Sequence, residues 1–178
     1  MTLAGQTHMA IDECLHKFEA LAEAVLPKYL KQLRRSIRSA PSAEEFVATG
    51  GLPTELVRQL NGKRDFPGCY VFLRAGRPVY VGISRKVRAR IRQHIRGRSH
   101  YEATLAYRMA CRDLRRVGRR AENMKSPAFL RRFNLAKHNL AKHRVACVVI
   151  RNALELHIFE AYAAMALDTA KWNTFETH

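Results

Sequence analysis

The stretch GCYVFLRAGRPVYVGISRKVRARIRQH, residues 68–94, decides the fold of this chain. Two short runs of β-branched and aromatic residues, 68–73 and 78–82, flank a turn-forming Ala-Gly-Arg segment, the pattern of a β-hairpin. Pro78 cannot donate to a strand ladder and suits a strand start or an edge. Side chains alternate along a strand, so loop length decides where the two tyrosines point. With a three-residue loop, Ala75, Gly76 and Arg77, Phe72 faces Tyr80 and Tyr70 faces Gly82. Tyr70 and Tyr80 then share one face. A two-residue Ala-Gly loop puts them on opposite faces.

A helix is expected next, with Ser84 placed to cap it. At 100° per residue, Val87, Ile91 and Ile95 form its buried stripe. Arg90 and His94, one turn apart, lie on the edge of that stripe and lean over the hairpin. Arg85, Arg88, Arg92 and Arg96 fall on the far side, toward solvent.

Working outward, 178 residues suffice for one substantial domain with an appendage. The 47% hydrophobic content excludes a disordered polycation. No run approaches the roughly 18 apolar residues of a membrane span, and the N-terminus lacks a signal-peptide pattern. The expectation is a cytoplasmic protein, with nucleoid association compatible. Cys14, Cys69, Cys111 and Cys147 are scattered, without a CxxC pair or tight Cys/His spacing, which argues against a disulfide framework and a structural zinc site.

Charge narrows the partners. The chain carries 32 Lys+Arg against 15 Asp+Glu, a net charge of +17. Such an excess repels itself in a folded state and calls for a polyanion whose counterions it displaces. Arginine dominates, spread through the chain and interleaved with Tyr and His. That favours nucleic acid over an anionic membrane, which prefers Lys-rich amphipathic segments. DNA is the expected partner, with RNA left open and no membrane.

Residues 1–65 read as a helical N-terminal appendage. An amphipathic stripe runs through residues 9–39, interrupted at Pro27. Ser42 and Glu45 resemble a capping box, and Gly50-Gly51, Pro53 and the polar 61–67 segment mark loops. Within the main domain, residues 66–178, the segment 101–143 reads as a basic helical insert broken near Gly118. Phe129, Phe133, Ala136 and Leu140 mark its second helix. Residues 144–150, RVACVVI, read as a buried strand. The last helix, about 153–168, is apolar almost all round. Glu160 sits in it among Leu156, Ala163, Ala164 and Leu167, where a carboxylate is costly unless an Arg, a Lys or a metal pairs with it.

Taken together, Gly68-Cys69-Tyr70, Tyr80-Val81-Gly82 ten residues on, Arg90, His94, Glu160, and Asn173 thirteen residues further resemble the GIY-YIG endonucleases. The resemblance spans about residues 66–176. Cys69 stands where an aliphatic residue is usual, and the segment after His94 is longer than in minimal members. The resemblance implies an α+β fold, a small three-stranded mixed or antiparallel sheet flanked by helices. It also implies a divalent-metal-dependent endonuclease that hydrolyses phosphodiester bonds in DNA.

On that reading Glu160 binds Mg²⁺ or Mn²⁺, since a hard ion needs few protein oxygens beside water and phosphate. Arg90 clamps the scissile phosphate. Tyr70 takes the proton of the attacking water, and His94 accepts the tyrosine's proton or orients it. Tyr80 holds phosphate or water, and Asn173 fixes the site from the C-terminal side. Arg85, Lys86, Arg88, Arg92, Arg96, Arg112, Arg115, Arg116, Arg119 and Arg120 form the basic DNA-contacting surface.

Each residue has a plainer reading. The tyrosines serve as strand aromatics, Arg90 as a surface cation, His94 as a helix-flank histidine, and Glu160 as half of an ion pair. Glu155 is the rival metal ligand, disfavoured by the interval to Asn173. His157 has no third ligand at zinc spacing. The competing function is a nucleic-acid-binding protein that keeps the fold without cleaving.

Overall fold

A computed structural model describes residues 11–48, 54–60, 65–116 and 118–175. The loops expected at Gly50-Gly51-Pro53 and at 61–64 lie outside the described residues. The fold is α+β. In order the elements are α1 (Phe18–Ala20), α2 (Leu26–Arg38), α3 (Ala43–Val47), α4 (Thr54–Leu60), β1 (Gly68–Arg74), β2 (Arg77–Ser84), α5 (Val87–Arg96), α6 (Thr104–Asp113), α7 (Arg120–Asn123), α8 (Pro127–Lys142), β3 (Arg144–Val149) and α9 (Ala153–Ala166). The sheet order is β2-β1-β3, and both pairs are antiparallel.

Two apolar layers sandwich the sheet. Tyr70, Phe72, Val145 and Cys147 face one layer with Phe46, Val87, Ile91, Leu105, Phe129 and Phe133. Cys69, Val71, Leu73, Val81, Ala146 and Val148 face the other, with Leu26, Leu30, Leu33, Leu156 and Phe159. As the central strand, β1 is covered on both sides. That is why its sequence is a continuous apolar run rather than an alternating one.

The N-terminal helices expected as an appendage pack directly on the sheet. Leu21, Leu26, Leu30 and Leu33 are buried in the second layer, against β3 and α9. Pro27 does not split their helix. Instead the turn before it widens into a π-helix over Leu21–Val25, with the Leu26 amide donating to the Leu21 carbonyl. Proline offers no amide and clashes with the carbonyl four residues back, which the wider turn accommodates. The capping box at Ser42 and Glu45 is present, as are the buried Phe129, Phe133, Ala136 and Leu140 of α8. On α9 the apolar character overstates burial, since Met165 is 83% exposed.

The hairpin differs from expectation in an instructive way. Arg74 pairs with Arg77, so the loop is the two-residue Ala75-Gly76, both at positive φ (49° and 77°). That combination is the tight turn matched to strand twist. Taken alone it would send the tyrosines to opposite faces. The register then shifts between Phe72 and Leu73, because Leu73 pairs with Pro78 and Phe72 with Tyr80, leaving Val79 as an extra residue. This β-bulge, beside a proline that has no amide to contribute, restores the parity. Tyr70 therefore faces Gly82, and the two tyrosines share one face.

Candidate functional site

The site is built on that face, at the edge strand β2. Tyr70, on the fully covered strand, is 1% exposed. Its hydroxyl lies over Gly82, where a Cβ would fall 2.5 Å from the phenolic oxygen. Glycine is needed here because the phenol occupies the space a side chain would fill. Tyr80 lies beside it at a ring-centroid distance of 6.3 Å and is less completely buried than Tyr70. Phe72 stands edge-on to both Tyr70 and His94 and completes the aromatic wall.

His94 arrives from α5, whose start is fixed differently from expectation. Ser84 accepts only from the Lys86 amide. The helix is capped by Asp65, whose carboxylate accepts from the amides of Arg88 and Ala89. A carboxylate in that position satisfies free amides and also complements the helix dipole. With the helix so placed, His94 is 0% exposed, and its Nε2 lies 2.8 Å from the Tyr70 hydroxyl oxygen.

Burial, with Arg90 beside it, lowers the His94 pKa to about 3, so the ring is neutral. Its Nδ1 has no hydrogen-bond partner among the described residues. An orphaned buried N–H is rarer than an orphaned acceptor. The ring proton is therefore assigned to Nε2, which donates to the Tyr70 oxygen. With that tautomer the ring donates to Tyr70 and does not accept from it.

Arg90 is held by three hydrogen bonds. Nη1 donates to Gln93 Oε1 (3.1 Å) and to the Glu102 carbonyl (2.9 Å), and Nη2 donates to Thr104 Oγ1 (3.0 Å). It is half-buried and fixed, which separates it from the surface arginines. Its charge bears on Tyr70, Tyr80 and His94. Burial raises the Tyr70 pKa well above its ordinary value, with Tyr80 adding to the rise and Arg90 partly offsetting it. The Tyr80 pKa is also raised, by burial and then by the charge of Glu160, against the opposing pull of Arg90 and Arg108.

Glu160, on α9, comes to the site from the other side of β2. Burial raises its pKa, with His157 opposing. Among the described residues it has neither a hydrogen-bond nor an ion-pair partner. Glu155, the rival ligand, points elsewhere, toward Tyr29 and His16. Asn173 locks the chain end to the same strand: Oδ1 accepts from the Val81 amide (2.9 Å) and Nδ2 donates to the Val81 carbonyl (2.8 Å). It pairs with the edge of β2 as a further strand would, next to Tyr80.

Beyond the site, the basic residues divide. Arg88 is tied to the protein, its Nε and Nη2 donating to the carbonyls of Val47 and Ala48 at the end of α3. Arg96 lies 3.9 Å from Glu44. Arg85, Lys86 and Arg92 are exposed, as are Arg112, Arg115, Arg116, Arg119 and Arg120. Arg112 stacks over Trp172 at 5.2 Å, and Arg120 over Tyr107 at 5.8 Å.

Arg108 was not singled out by sequence, although it is close enough to Tyr80 to lower its pKa and donates to Thr174 Oγ1. With Arg112, Arg115, Arg116, Lys171 and Trp172 it lines an open concavity of about 510 Å³. A signal existed: Thr104, Arg108 and Arg112 fall at four-residue steps on one face of α6, and Thr104 is the residue that holds Arg90.

The chain matches no family model, no curated protein and no solved structure in the comparisons made. Among the described residues no helix is long and apolar enough to cross a membrane.

Proposed function

We propose that this chain is a divalent-metal-dependent endonuclease of the GIY-YIG type, hydrolysing phosphodiester bonds in DNA. The observation that carries the reading is that residues up to 103 positions apart gather around β2: Tyr70, Tyr80, Arg90, His94 and Asn173, with Glu160 near enough for its charge to bear on both tyrosines. A half-buried carboxylate without a partner among the described residues, in a chain of net charge +17, is an expense that stability alone does not explain. It fits a hard divalent cation, which takes one or two carboxylates and fills its remaining positions with water and phosphate.

Bound by Glu160, Mg²⁺ or Mn²⁺ would supply positive charge against the phosphate oxygens. The chain's own residues do the rest. Arg90, immobilised by Glu102 and Thr104, presents a fixed guanidinium to the phosphate at little entropic cost. Tyr80 is the less buried of the two phenols, so it, rather than the enclosed Tyr70, would receive a proton from attacking water, as phenolate. A phenol is a weak base for that task unless its phenolate is favoured. Arg90, Arg108 and the hydroxyl of Tyr70 favour the phenolate, but burial and the charge of Glu160 outweigh them and leave the Tyr80 pKa raised; a cation on Glu160 would remove the second of these. His94 and Phe72 hold Tyr70 behind it. Arg108 and the basic concavity carry the flanking backbone of the duplex, and the arginines not tied to protein carbonyls supply counterion release.

The test is Mg²⁺-dependent plasmid nicking by wild type, Glu160→Gln, Arg90→Ala and Tyr80→Phe. Each variant is expected to lose about 10²-fold or more in rate, while Glu160→Gln melts no lower than wild type because the desolvated charge is gone. Equal rates in all four proteins would sink the assignment. Salt-sensitive DNA binding without metal-dependent cleavage would select the non-cleaving alternative.

A further inference from the structure

Away from the proposed catalytic face, the second apolar layer ends in a cluster that the nuclease reading does not use. Cys14 Sγ, His16 Nδ1 and a carboxylate oxygen of Glu155 all lie within 4.8 Å of one another. His16 Nδ1 is 2.8 Å and Cys14 Sγ 3.8 Å from Glu155 Oε1. Glu155 is only 5% exposed, in the first turn of α9, and its other oxygen accepts from the Tyr29 hydroxyl at 2.7 Å. Cys14 and His16 are two residues apart, but Glu155 joins them from 139 positions beyond His16, so the sequence shows only part of the cluster.

The geometry points to a zinc site formed by Cys14, His16 and Glu155, with the fourth position open to solvent. The donor set is one thiolate, one imidazole and one carboxylate, which suits Zn²⁺ and not the all-oxygen preference of Mg²⁺ or Ca²⁺. Tetrahedral Zn²⁺ with ordinary bond lengths holds such ligand atoms about 3.3–3.6 Å apart. The 2.8 and 3.8 Å separations bracket that range, so small side-chain rotations admit the ion. The Tyr29–Glu155 hydrogen bond is the kind of outer contact that orients a ligating carboxylate.

The backbone also delivers the ligands from one side. Asp12 and Glu13 turn at positive φ just before Cys14, and the Asn152 amide donates to the Asp12 carbonyl. The same Asn152 side chain accepts from the Glu155 amide. Residues 11–17 thus form a strap against the start of α9, the helix that carries Glu160, and the ion clips that strap down. On binding, the Cys14 thiol gives its proton to solvent and the sulfur ligates as thiolate, so affinity falls as pH falls.

The experiment titrates chelator-treated full-length protein with Zn²⁺, and separately with Co²⁺, in the absence of DNA and Mg²⁺. Wild type is expected to bind one equivalent, to show a thiolate-to-cobalt charge-transfer band and to melt higher as Zn²⁺ is added. Cys14→Ser should lose the band while Cys111→Ser, a half-buried thiol outside the cluster, keeps it. His16→Ala, a change on a half-exposed side chain that leaves the fold intact, should abolish the zinc-dependent shift in melting. Tyr29→Phe should bind roughly 10-fold more weakly. A cobalt complex without a thiolate band, or one whose band survives in Cys14→Ser, would overturn the site. So would an undiminished zinc response in His16→Ala.

Discussion

His94→Gln should remove a defined portion of the acid sensitivity of this protein. In an unfolded chain the His94 imidazole takes its proton near 6.5, whereas in the folded core burial, with Arg90 beside it, holds the pKa down to about 3. Between those values the unfolded state binds more protons than the folded one, so stability falls as pH falls. The contribution is fully present above the unfolded value and is lost going down to the folded one. The slope is about 1.4 kcal/mol per pH unit, so the loss is roughly 2 kcal/mol by about pH 5 and roughly 5 kcal/mol near pH 3.

Glutamine keeps an amide able to bond the Tyr70 hydroxyl but does not titrate. Glu45 and Glu102, whose pKa values are lowered by hydrogen bonds from Ser42 and from Ser99 and Arg98, also favour acid unfolding, but only below the ordinary carboxylate range. His143 shifts in the same direction as His94 and is present in both proteins, so it cancels in the difference. Urea unfolding at about pH 7.5 and about pH 5 reads the effect. Wild type should lose roughly 2 kcal/mol more than the variant across that interval. Equal losses would refute the buried, neutral His94, and with it the orienting role assigned to that ring.

Three further outcomes follow from particular contacts. Gly82→Ala places a Cβ 2.6 Å from Tyr70 Cζ and 3.0 Å from Tyr80 Cε1. The pinned phenol cannot yield freely, so the change should cost about 1–3 kcal/mol in a thermal melt and about 10²-fold in plasmid nicking. Wild-type behaviour in both would show that the ring is not held as described. Arg88→Ala, which strips hydrogen bonds from the Val47 and Ala48 carbonyls, should lower stability by about 1–3 kcal/mol and leave the salt dependence of DNA binding unchanged. Arg112→Ala should leave the melt unchanged and reduce the salt slope by about 1, and the reverse pattern would undo the division between structural and exposed arginines.

Much of this architecture was legible in the chain because it is local. Apolar runs, helical stripes and turn residues are periodic within a few positions. The hairpin, the stripe of Val87, Ile91 and Ile95, the capping box at Ser42 and the four buried residues of α8 follow from that periodicity. The edge position of Arg90 and His94 was legible for the same reason. The misreadings arose where one local rule was modified by another. A tight two-residue turn and a bulge at Val79 each shift strand parity by one, and their sum gives the face that a three-residue loop alone would have given.

What the sequence determined by itself was the alternation of strands and helices, the excess of positive charge, and the candidates Tyr70, Tyr80, Arg90, His94, Glu160 and Asn173. Tertiary structure alone decided their circumstances. It enclosed Tyr70 more fully than Tyr80, tied Arg88 to α3, brought Arg108 near enough to Tyr80 to lower its pKa, capped α5 with Asp65, and set Cys14 and His16 against Glu155. The physical reason is that burial and electrostatic neighbourhood depend on segments far apart in the chain. Secondary structure reads from neighbours along the backbone, whereas the protonation and partners of a side chain are set only when distant elements pack against it.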